Sequence, residues 1–103
     1  MSVIELTKDN FETEINDPTR PVLVDFWAPW CGPCRSLSPL VDELAETRPA
    51  EVKVCKVNVD EQPQLAMKFR VMSIPTLLVF RDGQKVRSSV GLVSQDELLD
   101  LLK

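Results

Sequence analysis

The sequence predicts a single α/β domain over residues 1–103, with a central mixed β-sheet of about five strands flanked by about four helices. Short apolar runs alternate with segments of helical period, which is typical of a sheet that contains parallel strands. Towards the C-terminus, Asp82-Gly83 separates two strand-like runs and predicts an antiparallel hairpin. A chain of 103 residues is also long enough to bury a core without disulfide cross-links.

The first half of the chain is expected to hold two strands and two helices. Residues 3–6 predict a strand, and Thr7 is expected to cap a short helix in which Phe11 and Ile15 are four residues apart. Residues 22–27 form a nearly continuous apolar run, as expected for a central strand covered on both faces. The next helix is amphipathic, and Pro39 within it should kink its axis. The apolar stripe of that helix consists of Leu37, Leu40, Val41, Leu44 and Ala45.

The second half is expected to hold three strands and two helices. The predicted elements are a strand over residues 52–59, a short helix over 64–69, and hairpin strands over 76–80 and 85–90. In the last strand Val86, Ser88 and Val90 alternate with Lys85, Arg87 and Ser89, which predicts a half-buried edge. Ser94 and Glu97 form a capping box that opens the final helix. The buried stripe of that helix is predicted to be Leu98, Leu99, Leu101 and Leu102.

Composition argues against several classes of protein. The net charge is −4 and the basic residues are scattered, so we expect no nucleic-acid partner. No segment approaches the run of about 18 apolar residues that a membrane helix needs, and the N-terminus lacks the pattern of a signal peptide. Three cysteines are an odd number for a secreted disulfide framework, so a cytoplasmic setting is expected. The chain has no His, which removes the commonest metal ligand and general base.

A pair of cysteines lies where the predicted central strand runs into the long helix. Cys31 and Cys34 are separated by Gly32-Pro33, a spacing that can close and reopen a small disulfide ring. At a helix start the first side chain should face outwards and the second should lie on the inner side of the first turn. The helix dipole and free backbone N–H groups favour a thiolate at the first position. We therefore expect Cys31 to be the nucleophile and Cys34 the resolving thiol.

Other interpretations of the cysteine pair are weaker. The pair could be half of a zinc site, but with no His and only Cys55 remaining, the other ligands are missing and no metal is expected. A purely structural disulfide is also possible, although so short a loop removes little entropy from the unfolded chain.

Asp25 and Lys56 are charged residues in strands that otherwise read as buried. Strand alternation places Asp25 with Leu23 and Trp27 on one face, so a carboxylate is expected in the core. Such a group could act as a general base that takes the proton of Cys34, with a solvent-facing Asp as the simpler alternative. Lys56 is the natural partner of Asp25, and the alternative is a lysine that reaches solvent at the strand end.

Residues 24–34, which include Trp27 and Trp-Cys-Gly-Pro-Cys, resemble the active site of the thioredoxin family. The resemblance runs nearly end to end and includes Pro39, residues 56–60, Ile74-Pro75-Thr76, Asp82-Gly83 and Gly91. It implies a thioredoxin fold and a general protein disulfide reductase, monomeric and without a cofactor. It also implies recycling by a flavin- or ferredoxin-dependent thioredoxin reductase. In this family Gly-Pro between the cysteines accompanies reductants, whereas His-containing pairs accompany oxidants and isomerases.

The resemblance also assigns roles to individual residues. Asp25 and Lys56 match the family's buried acid and the lysine that modulates it. The Ile74-Pro75 bond is expected to be cis and to lie against the cysteines. The implied substrate platform comprises Trp30, Gly32, Pro33, Ile74, Pro75, Val90 and Gly91, with Trp27 and Pro39 in support.

Some positions depart from the family pattern, and two rival functions remain open. Phe69, Arg70 and Met72 stand where Tyr, Gly and a polar residue are common, and Met72 bears on which partner docks. Cys55 is expected to be a small buried hydrophobe. The rivals are a thiol oxidant or isomerase, and a binding module that uses the apolar platform without electron transfer.

Overall fold

The computed structural model describes residues 3–103. Within them the strands are β1 (Val3–Glu5), β2 (Val22–Trp27), β3 (Lys53–Asn58), β4 (Thr76–Arg81) and β5 (Gln84–Val90). The helices are α1 (Phe11–Ile15), α2 (Gly32–Thr47), α3 (Pro63–Lys68) and α4 (Gln95–Leu101). The predicted mixed sheet with about five strands and four helices is therefore confirmed.

The sheet has the order β1-β3-β2-β4-β5, which places β2 at its centre. β3 runs parallel to β1 and β2, whereas β4 runs antiparallel to β2 and β5. The predicted Asp82-Gly83 hairpin joins β4 to β5. Asp82 and Gly83 have φ values of 52° and 78°, the left-handed conformation that a tight hairpin turn requires.

The two faces of the sheet carry separate hydrophobic clusters, because strand side chains alternate between faces. Val22, Val24 and Phe26 of β2 pack on the face that α1 and α3 cover. Leu23 packs on the opposite face with α2 and α4. Phe69, which stands where many family members have Tyr, packs its ring against Phe11 with centroids 5.1 Å apart. Asp25 shares the face of Leu23, so it lies beneath α2.

The predicted cap of α1 is wrong. The N-cap is Asn10, and α1 begins at Phe11 rather than directly after Thr7. Thr7 instead stabilises the turn before the helix: its backbone N–H donates to Asn10 Oδ1 at 2.7 Å, and its hydroxyl accepts from the backbone of Asp9 at 3.2 Å. The short polar side chains favour this local turn over an earlier helix start.

The prediction of a half-buried β5 is also wrong. Val86 and Val90 are 48% and 67% exposed. β5 is the edge strand, and a register shift opposite Val79 and Phe80 interrupts its pairing with β4. In α4 the predicted capping box of Ser94 and Glu97 forms, and Leu98 is fully buried. The other leucines of its predicted stripe, Leu99, Leu101 and Leu102, are only half-buried.

Candidate active site

The cysteine pair lies at the N-terminus of α2, directly after the turn that follows β2. Cys31 is the N-cap residue, and its backbone N–H donates to the carbonyl of Ala28 at 3.1 Å. Pro33 lies in the first turn of the helix, where a missing N–H costs no intrahelical hydrogen bond. Cys31 and Cys34 form a disulfide with their Cα atoms 5.2 Å apart. The backbone N–H of Cys34 donates to Cys31 Sγ at 3.2 Å.

Both cysteines are buried in this disulfide state, so the expectation of an outward-facing Cys31 is wrong here. Cys31 is 5% exposed and Cys34 is 3% exposed. Ile74 packs against the cluster that Cys31 forms with Ala28 and Cys34. The Sγ atom lies 3.7 Å from the carbonyl oxygen of Ile74. The loop before β4 therefore forms one wall of the disulfide.

That loop holds the second group of predicted residues. The Ile74-Pro75 peptide bond is cis. The carbonyl of Pro75 accepts a 2.8 Å hydrogen bond from the backbone N–H of Gly91, which ties the end of β5 to the loop. Gly91 has a φ of 97°, and an added Cβ would meet open space there. Glycine is therefore favoured at position 91 by the backbone conformation and not by a lack of space for a side chain.

Several apolar side chains in the segments next to this loop and next to the start of α2 are exposed. Trp30 is 66% exposed, Met72 is 91% exposed, and Val90 and Leu92 are also exposed. Leu92 was not among the predicted platform residues, because nothing in the local pattern distinguishes an exposed leucine from a buried one.

The orientation of Trp30 is fixed by residues that the sequence analysis did not assign to the site. Its indole Nε1–H donates to Asp60 Oδ2 at 2.9 Å. The backbone N–H of Asp60 in turn donates to Asn58 Oδ1 at 2.9 Å. The spacing of Asn58 and Asp60 is that of a side chain closing a turn on the backbone two residues on. This spacing was the one feature of the sequence that could have indicated that Asp60 is held in a fixed position.

Asp25 is buried under the disulfide. It is 1% exposed, which excludes the solvent-facing alternative. Among residues 3–103, its Oδ1 atom has no hydrogen-bond partner. Burial raises the pKa of Asp25 to about 7, while the positive charge of Lys56 opposes this rise and the negative charge of Asp42 adds to it. Asp25 is thus a carboxyl group that can gain and lose a proton near neutral pH.

Asp25 and Cys34 face a common cavity of about 90 Å³. Its lining residues are Asp25, Trp27, Cys34, Arg35, Ser38 and Lys56. A cavity of this size has room for water, and the polar groups of Asp25, Ser38 and Lys56 are among its lining residues. The indole N–H of Trp27 is likewise buried without a partner in the described part of the chain. The cavity therefore connects the inner thiol position to the buried carboxyl group.

Lys56 does not form the expected ion pair with Asp25. The strand register places Lys56 beside Asp25, but its ammonium group donates to Ser38 Oγ at 2.7 Å and pairs with Asp42 Oδ1 at 2.9 Å. The side chain of Lys56 is 15% exposed and lies against α2. Ser38 and Asp42 are one helical turn apart, so their oxygen atoms lie on the same face of α2. This i, i+4 spacing could have indicated from the sequence that α2 offers partners to Lys56.

Comparison with known proteins agrees with this geometry. The thioredoxin family model matches residues 2–103. The chain belongs to the thioredoxin family. Members of this family are thiol–disulfide oxidoreductases, so this protein is one, and its Cys31–Cys34 pair forms the disulfide that such a protein needs.

Three thioredoxins illustrate the similarity. The chain is 50% identical over 99 residues to thioredoxin 1 of Nostoc sp., covering 96% of this chain and 92% of the relative. It is 50% identical over 103 residues to thioredoxin 1 of Synechococcus elongatus, covering 99% and 96%. It is 44% identical over 98 residues to a thioredoxin of Mycobacterium tuberculosis, covering 95% and 84%.

The remaining cysteine of this thioredoxin-family protein lies away from the disulfide. Cys55 is fully buried on the α1 and α3 face of the sheet, as predicted. Burial raises the pKa of its thiol to about 12, so it stays protonated and unreactive at neutral pH. Within residues 3–103, no group of three or more potential ligands could hold a metal ion, and no helix is long and apolar enough to cross a membrane.

The buried carboxyl group should lower the stability of the oxidised protein as the pH rises. The pKa of Asp25 rises from 3.8 to about 7 on folding, so between these values the folded state holds more protons than the unfolded state. The free energy of unfolding therefore falls across this window, by up to about 4 kcal/mol at about 1.36 kcal/mol per pH unit. Denaturant unfolding of Asp25→Asn should lack this fall.

Glu43→Gln is the matched control, because Glu43 is an exposed carboxylate on α2. The stability difference between Asp25→Asn and the unsubstituted protein should grow from pH 4 to pH 7 and then level off. A difference that is constant with pH would show that Asp25 is ionised throughout the window.

Proposed function

We propose that this protein is a general reductant of protein disulfides, with Cys31 as the nucleophile and Cys34 as the resolving thiol. The observation that carries the proposal is the cavity that Cys34 shares with the buried carboxyl group of Asp25, whose Oδ1 atom has no hydrogen-bond partner among residues 3–103. A structural disulfide needs no such group. A dithiol that must lose a proton from its inner sulfur does.

The first step joins the protein to its substrate. The Cys31 thiolate attacks one sulfur of the substrate disulfide, the substrate S–S bond breaks, and the second substrate sulfur leaves as a thiolate that takes a proton from solvent. The N–H of Cys34 points at Cys31 Sγ from 3.2 Å, and α2 extends for 16 residues behind it. Both features favour negative charge on Cys31.

The second step releases the substrate. Asp25 takes the Cys34 proton through the cavity, and the Cys34 thiolate attacks Cys31 Sγ. The mixed disulfide breaks, the substrate sulfur that was bonded to Cys31 leaves with the electron pair and takes up a proton, and the Cys31–Cys34 bond forms. Two electrons have then passed from the protein to the substrate disulfide. The base must be ionised to act, so a pKa of about 7 for Asp25 suits this transfer at neutral pH.

The substrate is proposed to lie across an apolar surface built by three separate segments. Trp30, Gly32 and Pro33 belong to the helix start, Ile74 and Pro75 to the loop before β4, and Gly91 to the end of β5. The contact of the Ile74 carbonyl with Cys31 Sγ and the exposure of Trp30 and Val90 support this placement. Trp27 lines the cavity, and Pro39 lies within the supporting helix. Because such a surface carries few charges, it can bind extended segments of many different sequences.

Each cycle leaves the protein oxidised, so an external donor must reduce it again. We propose a flavin- or ferredoxin-dependent thioredoxin reductase as this donor, and disulfide-containing proteins as the substrates. The chain acts as a monomer without a cofactor of its own, in the cytoplasm, and without nucleic-acid or membrane partners. The scattered basic residues and the net charge of −4 support the proposal that nucleic acid is not a partner.

Replacing Cys34 should trap substrates on Cys31. In Cys34→Ser the first step proceeds, but no inner thiol remains to break the mixed disulfide. Incubation of the reduced variant with a protein disulfide such as insulin should give covalent complexes that dithiothreitol dissolves, seen on a non-reducing gel. Cys55→Ser is the matched control, because Cys55 is buried on the other face of the sheet.

Two double variants show which cysteine forms the bond to the trapped substrate. Complexes should persist in Cys34→Ser/Cys55→Ser and be lost in Cys31→Ser/Cys34→Ser. Complexes that require Cys55, or none in Cys34→Ser, would contradict the proposed division of labour.

The reduction potential separates a reductant from an oxidant or isomerase. Equilibration in thiol–disulfide buffers, followed by Trp fluorescence, should give a value near the about −270 mV already known for thioredoxin. Isomerases and oxidants lie at about −180 to −120 mV, and a value in that range would contradict the reductant. Cys55→Ser should leave the potential unchanged.

A further inference from the structure

We propose that Ser38 and Asp42 are positioning residues that hold the ammonium group of Lys56 on α2 and so keep the carboxylate of Asp25 unpaired beneath Cys34. The inference deepens the proposed function, because the unpaired carboxylate is the base of its second step. It concerns residues to which neither the family resemblance nor the sequence pattern gave a role.

The strand register would otherwise favour a direct ion pair. Asp25 of β2 is paired with Lys56 of β3, and parallel neighbours at the same register position point to the same face. Neighbouring strands are about 4.8 Å apart, so a lysine side chain reaches a carboxylate on the next strand. Two opposite charges this close in a buried site should attract strongly. Yet within residues 3–103, Asp25 Oδ1 has no hydrogen-bond partner.

Two oxygen atoms on α2 bind the ammonium group of Lys56 and so explain why it does not pair with Asp25. Lys56 Nζ donates to Ser38 Oγ at 2.7 Å and lies 2.9 Å from Asp42 Oδ1. Ser38 and Asp42 are one turn apart and therefore on the same face of α2. The two contacts engage the ammonium group from one side. Asp42 is 52% exposed, so its attraction is partly screened by solvent and the neutral Ser38 contact is a necessary part of the hold.

Among the residues that the structure describes, the other groups around Asp25 offer it no replacement cation. On β4 its register partner is Leu77, which is apolar. On α2 the cavity is lined by Cys34, Ser38 and Arg35. The Arg35 guanidinium donates to the carbonyl of Pro29 at 3.0 Å, on the side of the turn before the helix. Lys56 is thus the cation whose position decides the charge state of Asp25.

The consequence is a base of suitable strength. With Lys56 held on α2, Asp25 keeps a raised pKa, because burial outweighs the more distant positive charge. If Lys56 turned to Asp25, the ion pair would stabilise the carboxylate and make it a weaker base. Ser38 and Asp42 would then control the rate of substrate release without touching the substrate or either sulfur.

The test measures the titration of Asp25 directly, in the oxidised protein and without substrate. The carboxyl carbon shift of Asp25 is followed by NMR against pH. In Ser38→Ala/Asp42→Asn the midpoint should move down by about one pH unit, since a freed lysine within about 4–6 Å favours the carboxylate. The matched control is Ser36→Ala/Glu43→Gln, which likewise removes one hydroxyl and one carboxylate charge at exposed positions of α2, and its midpoint should not move.

Removing Asp42 also removes a negative charge, so the route through Lys56 needs its own test. The pair of substitutions is repeated in a Lys56→Gln background, where only this direct effect remains. The downward movement should be clearly smaller there than with Lys56 present. Ser38→Ala alone, which changes no charge and favours the helix, should lower the midpoint only when Lys56 is present.

A midpoint that does not move in Ser38→Ala/Asp42→Asn would overturn the inference. So would a movement of the same size in the Lys56→Gln background, because Asp42 would then act through its own charge. Neither result depends on disulfide reduction. Loss of the proposed reductase activity would appear separately, as an absence of trapped complexes in Cys34→Ser.

Discussion

The burial of one carboxyl group on the central strand is the constraint on which the rest of the site depends. Asp25 has β3 on one side, β4 on the other and α2 above it. Because this position excludes bulk water, the group keeps its proton to a much higher pH than an exposed Asp. An unpaired buried carboxylate costs stability, so the surrounding core must offset this cost. In the proposed mechanism, the buried group is the proton acceptor for the inner cysteine, with which it shares a cavity.

The proposed mechanism divides the site into an outer part, where Cys31 meets the substrate, and an inner part, where Asp25 accepts a proton. The outer part lies where the end of β2, the loop before β4 and the end of β5 meet. The contact of Ile74 with Cys31 and the hydrogen bond from Gly91 to Pro75 hold these segments together. The inner part is the cavity between Asp25 and Cys34. α2 belongs to both, since its first turn carries the cysteines and its second and third turns hold Lys56. The proposed catalytic groups and the core packing therefore depend on the same helix.

Short-range patterns predicted most of the fold and the chemical groups of the site, because they depend on neighbours in sequence. Strand alternation placed Asp25 in the core, and Asp82-Gly83 fixed the hairpin. What failed depends on contacts between distant segments. The burial of Cys31 comes from Ile74, 43 residues away. The exposure of Val86 reflects an edge that no helix covers, and the partners of Lys56 reflect a choice among three oxygen-bearing side chains within reach. Alternation states which face a residue occupies, but it cannot state what lies opposite.

The central claim is that Asp25 accepts the proton of Cys34, and the rate of that one step tests it most directly. Reduced protein is mixed with an aromatic disulfide in a stopped-flow instrument, and the coloured thiol is released twice. The second release does not depend on reagent concentration, because it reports attack of Cys34 on the mixed disulfide at Cys31. Its rate constant should rise with pH and level off above about pH 7, where Asp25 is ionised. In Asp25→Asn it should fall by about 100-fold at pH 7 and lose that transition. An unchanged rate and pH profile in Asp25→Asn would contradict the account.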